Sequence, residues 1–208
     1  MTPAGLEDLL AARLAADARA WLAEARDKVA VDPAAIRVLF PAAGRKCGRG
    51  PLGEDEGWTV DDAARTVLIA ALPLTGSALT REIDDLYRFG DAAEKRGVLR
   101  ALSVVDPGDG NLPIVRDALR TNDTRLIAVA LGAYGARHLD AAGYRQGVLK
   151  CVFTGIPLAG ISGIDSRVDD ELVRMLREFA AERIAAGRPV PDDVWLVVPR
   201  DRNPSSEA

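Results

Sequence analysis

The chain has 208 residues, 48% hydrophobic and 28% charged, with a formal net charge of −4. That length suits one domain able to bury roughly 70% of its unfolded surface without a staple. The mild acidity gives no global pull toward nucleic acid or an anionic membrane. Aromatic residues are only 5%, so the core is drawn mostly from Leu, Ala, Val and Ile. The Ala-, Leu-, Arg- and Glu-rich segments are good helix material, because those side chains lose little rotamer freedom in a helix. Cys47, Cys151 and His138 are the only Cys and His residues. Three scattered ligands do not make a four-coordinate zinc site, so no metal and no cofactor is expected.

Leu6, Leu9, Leu10, Leu14, Trp21 and Leu22 recur at helical spacing, which predicts one long amphipathic helix over 4–30. Glu7, Asp8 and Arg13 interrupt its apolar pattern, unlike the core of a signal peptide. Pro33 sits near the first position of a second, short helix ending at Phe40, with Pro41 and Gly44 as its stops. Residues 44–57 are rich in glycine and charge and read as a flexible loop. Thr59 is an N-cap with Asp62 three residues on, and Val67, Leu68, Ala71 and Leu72 form an apolar face that ends at Pro73. Leu79, Ile83, Leu86 and Tyr87 share one face of a helix over 76–89, closed by Gly90 in the left-handed conformation.

Asp91 opens a helix through Leu102, and 103–110 is a turn-rich break. Asn111 caps a helix to Arg120. A short helix over 124–131 ends at Gly132, and Asp140 opens one through Phe153. The stretch 151–164 carries no charge but is broken by Gly155, Pro157, Gly160 and Gly163, so it reads as a bent, buried or pocket-lining connector. The spacing Ser166-x-x-Asp169 opens a long helix that Gly187 and Pro189 stop. A last turn or short helix covers 191–198, and 199–208 read as a disordered tail. No run approaches the 18 or so apolar residues that cross a bilayer, and the free thiols fit a reducing compartment, so the expected location is cytoplasmic.

The fold class is therefore all-α, in a single domain over 1–198. Segments 91–102, 122–131 and 140–153 resemble one another: each begins with a capping Asp or Asn, carries Arg or Lys in its next turns, and ends in aliphatic residues. Two architectures fit this pattern, a HEAT-like right-handed superhelical array of stacked antiparallel helix pairs or an orthogonal bundle.

Three clusters could carry chemistry. Arg88, Asp91, Glu94 and Lys95 crowd the stretch 82–96. They make either a pocket floor, with carboxylates for acid–base work and cations for an anion, or an ion-pair ladder between repeats. Arg116 and Arg120 lie one turn apart and can grip a phosphate or carboxylate with two guanidinium forks. Asp117 and Asp123 can equally satisfy them, and Asn122 and Asp123 read as helix caps. Arg45 and Arg49 belong to the basic loop GRKCGRG, whose bare amides suit a phosphate. It lacks the GK[ST] of a Walker loop, and Glu54, Asp55 and Glu56 can neutralise it. Lys150 adds a cation to an otherwise apolar helix beside Cys151. Cys151 reads as a buried, inert thiol, His138 as a capping or packing residue, and Trp21, Trp58 and Trp195 as core anchors.

The runs LYRFGDAAEKRGVLRAL, VRDALRTNDTRLIAVALGAY and YRQGVLKCVFTGIPL resemble the EboA-domain family, as do RVLFPAAGRKCGR before them and REFAAERIAAGRPVP after. The resemblance spans roughly residues 35–198. It implies a helical accessory in a bacterial pathway that makes or exports a secreted small metabolite, working beside a prenyltransferase, a metal hydrolase, a sugar-phosphate cyclase and isomerases. It supplies no reaction, so no catalytic residue is carried over. Two functions follow as expectations: a non-enzymatic accessory, binding or scaffold protein, or an enzyme acting on an anionic, phosphorylated or prenylated intermediate in a charged helical groove. The partner is a pathway protein or a small anionic metabolite, not nucleic acid.

Overall fold

A computed structural model describes residues 1–53 and 57–199. Within them the chain is all-α: α1 (Pro3–Arg13), α2 (Ala16–Val31), α3 (Ile36–Lys46), α4 (Val60–Ala70), α5 (Gly76–Phe89), α6 (Ala92–Val105), α7 (Leu112–Arg120), α8 (Thr124–Ala130), α9 (Ala133–His138), α10 (Ala141–Thr154), α11 (Asp170–Ala185) and α12 (Val194–Val197). The predicted tail from residue 200 onward lies outside the described residues, as do Glu54, Asp55 and Glu56.

The single helix expected over 4–30 is two helices. A 27-residue helix is about 40 Å long and cannot lay both of its apolar ends on one core. The chain instead turns at Leu14 and Ala15, both extended, so that Leu6 and Leu10 of α1 and Leu22 and Val29 of α2 are buried together. The stop expected at Pro41 also fails, because α3 runs through Pro41 and Gly44 to Lys46. Pro41 gives up only the bond to the carbonyl of solvent-facing Arg37, while buried Ile36, Phe40 and Ala43 hold the helix in place. Beyond α3, Leu52 N–H donates to Trp58 O (2.9 Å) and Val60 N–H to Gly50 O (2.9 Å), which clasps the glycine-rich loop at its neck.

α4 occupies the centre and packs against α1, α2, α3 and α6. Thr59 Oγ1 accepts from Asp62 N–H (3.4 Å) at its start, and every residue from Val60 to Ile69 is buried. α5 and α6 meet at Gly90, which is extended (φ −78°, ψ 155°) rather than left-handed. Glycine is needed there for closeness: a Cβ would stand 2.7 Å from Leu86 O. α6 continues three residues past Leu102 and stops at Asp106, which takes the left-handed conformation (φ 40°) and holds His138 Nε2 (2.7 Å) and Arg137.

Asn111 does not cap α7. Its buried side chain donates to Thr80 O (3.0 Å) and Asp84 Oδ1 (2.9 Å), tying the start of α7 to α5. α9, which the sequence pattern did not show, follows α8 after Gly132. Asp140 accepts from Gly143 N–H (2.6 Å) to open α10, and Gly155 (φ 72°) closes it. The connector after α10 is bent and buried through Ile156, Leu158 and Ile161, and Leu158 N–H donates to Asp193 Oδ2 (2.7 Å). The cap of α11 is Asp169, which accepts from Leu172 N–H (2.9 Å); Ser166 lies in the preceding turn. Trp21, Trp58 and Trp195 pack half-buried on the margin of the core rather than inside it.

Candidate functional site

The two charged stretches singled out in the sequence share an opening. Arg88 of α5, Lys95 of α6 and Arg120 of α7 line one cleft of about 600 Å³. Arg81 joins them, and Pro113 and Ile114 supply an apolar part of the wall. The acids of this cleft all have partners. Asp84 accepts from Asn111, Asp85 lies 3.7 Å from Arg37 Nη2, and Asp117 takes Arg120 (3.3 Å) and the Tyr87 hydroxyl (3.1 Å). Burial beside Asp117 pushes the Tyr87 hydroxyl well above its ordinary value, so it stays a donor. Arg81, Arg88 and Lys95 have no carboxylate partner among the described residues. Lys95 Nζ sits 5.2 Å above the Tyr87 ring and Arg88 over Phe89, which positions both cations without neutralising them.

Asp91 and Glu94, predicted to share this site, do not line the cleft; they close a reciprocal capping box, and Glu94 faces a separate pocket with Arg37, Phe40 and Glu82. Asp91 Oδ1 accepts from Glu94 N–H (2.8 Å), and Glu94 Oε2 accepts from Asp91 N–H (3.2 Å). Both carboxylates are committed to the start of α6.

Arg120 also borders a second, larger groove of about 870 Å³ between α7 and α10, with Arg116 and Lys150. Its floor is apolar, with Leu119, Leu149 and the exposed Phe153. Lys150 Nζ donates to Leu119 O (2.7 Å) and Thr121 O (2.6 Å), so this cation closes the C-terminal end of α7. Arg116 reaches Asp140 (3.2 Å). Asp123 caps α8 and binds Arg125 through both oxygens, which holds its carboxyl below the usual range. Asn122 is exposed next to it. Arg45 and Arg49 lie apart from these clefts, exposed at the end of α3 and in the loop after it.

A third cluster escaped the sequence reading. Asp61, Asp62 and Arg65 on α4 are fully buried. Arg65 Nη1 donates to Asp61 Oδ2 (2.6 Å) and its Nε to Phe40 O (3.3 Å), with the guanidinium over the Phe40 ring. Arg96 Nε reaches Asp62 Oδ2 (2.8 Å) and its Nη2 reaches Thr59 Oγ1 (3.0 Å). Arg100 donates to Gly57 O and lies over the Trp58 ring. Burial raises the Asp62 carboxyl despite Arg96, and burial lowers Arg100. The sequence carried no signal for it: Asp61, Asp62 and Arg65 fall on one side of the helix, which periodicity reads as a solvated stripe.

Neither thiol is poised to react, because burial pushes Cys47 up to about 11 and Cys151 up to about 12. His138 is held between the Tyr134 ring and Asp106. Among the described residues, no group of three or more His, Cys, Asp or Glu could hold a metal ion, and no helix is long and apolar enough to cross a membrane. No curated protein and no solved structure matches the chain. The family described as "Metabolite traffic protein EboA" matches residues 53–199, a span that contains α4 through α12 and both clefts around Arg120. By that match over most of its length, the chain belongs to the EboA family.

Proposed function

We propose that this chain is a non-enzymatic cytoplasmic accessory that holds a small anionic metabolite in the α5–α6–α7 cleft and passes it between proteins of one pathway. The observation that carries this reading is the imbalance of partners in the cleft. Its three acids are engaged, while Arg81, Arg88 and Lys95 have no described carboxylate. Cations aimed into a concave, part-apolar opening favour a charged ligand with some hydrocarbon. An enzyme working there would need an unengaged acid or base beside the cations. The carboxylates of Asp91 and Glu94 are instead tied to backbone amides.

The test is a thermal-shift and calorimetry series with inorganic phosphate, sugar phosphates and prenyl phosphates at matched ionic strength. Lys95→Ala and Arg120→Ala are each expected to weaken the best ligand by about ten-fold, the scale of one lost charge-assisted hydrogen bond, with the fold intact by circular dichroism. Unchanged affinity in both variants would sink the reading.

A further inference from the structure

Below α4, the charge count is uneven. Two carboxylates, Asp61 and Asp62, face four guanidinium groups: Arg65 and Arg96, which bind them directly, and Arg100 and Arg49 nearby. Arg65 is completely buried, yet its Nη2 has no hydrogen-bond partner among the described residues. A buried guanidinium N–H left without an acceptor is costly, and native structures satisfy such groups with a water or an ion.

That nitrogen lies beside Gly44. A Cβ built on Gly44 would stand 3.4 Å from Arg65 Nη2, 2.8 Å from Arg49 Nε and 3.5 Å from Arg49 Nη2. Two arginines from different elements thus converge on one backbone notch, which exists because residue 44 has no side chain. Arg49 reaches it from the exposed loop and makes no hydrogen bond or ion pair of its own among the described residues. Like charges repel, so two guanidinium groups turned toward one point are stabilised by an acceptor between them.

We propose that the Gly44 notch is an oxyanion site, separate from the α5–α6–α7 cleft, which takes the carboxylate or phosphate end of a small molecule between Arg49 and Arg65. Arg65 is the fixed half, locked by Asp61 and the Phe40 carbonyl. Arg49 is the loop-borne half, able to swing outward to admit the ligand. The basic loop acts here through one arginine and a buried partner on α4, not as a glycine cradle of backbone amides.

Inorganic phosphate and acetate are titrated into the full chain against chloride at equal ionic strength, read by calorimetry and melting temperature. Arg65→Ala risks unfolding, so the deciding variants are Arg49→Ala, on the surface, and Gly44→Ala, inside helix α3. Both are expected to weaken the bound anion by about ten-fold. Gly44→Ala is expected to do so while holding or raising the melting temperature, because alanine is the better helix former. All of these titrations are made in an Arg120→Ala background, so that the α5–α6–α7 cleft contributes least to the response and the change on adding Arg49→Ala or Gly44→Ala reads the notch. Stronger response to phosphate or to acetate tells which oxyanion the notch prefers. No anion-specific response, as when a water alone serves Arg65, overturns the proposal, and so does a response that survives Arg49→Ala.

Discussion

The N-terminal centre and the C-terminal half of this molecule handle charge in opposite ways. Around α4, Asp61, Asp62 and Arg65 are taken wholly out of water and paired with each other or with Arg96. From α7 onward, charges stay at the surface and act on helix ends: Lys150 on the carbonyls of α7, Asp140 and Asp169 on the first amides of α10 and α11, and Arg167 on Ala136 O and Leu139 O at the end of α9. The first arrangement is rigid and expensive to disturb, because removing one ion leaves the other stranded. The second is modular, since each contact can be lost alone. The groove between α7 and α10 lies on the modular side, whereas the α5–α6–α7 cleft straddles the two regions.

The largest test of that contrast is Asp61→Ala. Leaving Arg65 buried without its carboxylate is expected to cost about 3–5 kcal/mol, measured by urea unfolding. The double replacement Asp61→Leu with Arg65→Met should recover much of that loss, because removing both ions removes the stranded charge. Equal damage in the single and double variants would break the contrast. Next comes Lys150→Met, which keeps the packed stem and strips the amine from Leu119 O and Thr121 O. A loss of about 1–3 kcal/mol is expected, with slower effects on α4 than on α7 in amide exchange. Smallest is Asp169→Asn. The Arg145 guanidinium and then the Leu172 amide hold the Asp169 carboxyl below its ordinary 3.8. A depressed carboxyl stabilises the fold above the unfolded value and stops doing so as pH falls through the folded one. Asn caps without titrating. The stability gap between wild type and Asp169→Asn should therefore be present near neutrality and close in acid. A gap that widens as pH falls would remove Asp169 from the surface-charge group.

The all-α class and most helix starts were legible because Thr59, Asp91 and Asp140 are capping residues that accept from amides three residues on, whereas the start of α11 was expected one turn early, at Ser166, and lies at Asp169. Ends were harder. Pro41 is a stop signal in sequence, but the neighbouring Ile36, Phe40 and Ala43 are buried and outweigh it. Nothing between Arg13 and Asp17 marks the break between α1 and α2, which arises from packing on a distant helix. Of the site, the grouping of Arg88, Lys95 and Arg120 was within reach, as both stretches were visibly charged. The ionic centre was not, because its partners Asp61, Arg65, Arg96 and Phe40 come from three separate helices and periodicity cannot show a charge turned inward.

A helix enclosed on every side cannot open by itself. The amides between Ala63 and Leu68 have no route to solvent through fraying or local breathing, since α1, α2, α3 and α6 must all be displaced first. Deuterium should reach them only when the whole molecule comes apart, so their exchange rate reads out global stability directly. It also means the chain cannot be cut near residue 60 into two units that fold alone: the C-terminal fragment would carry an apolar, ion-bearing rod without its α1–α3 walls, and the N-terminal fragment would keep those walls with nothing to cover them.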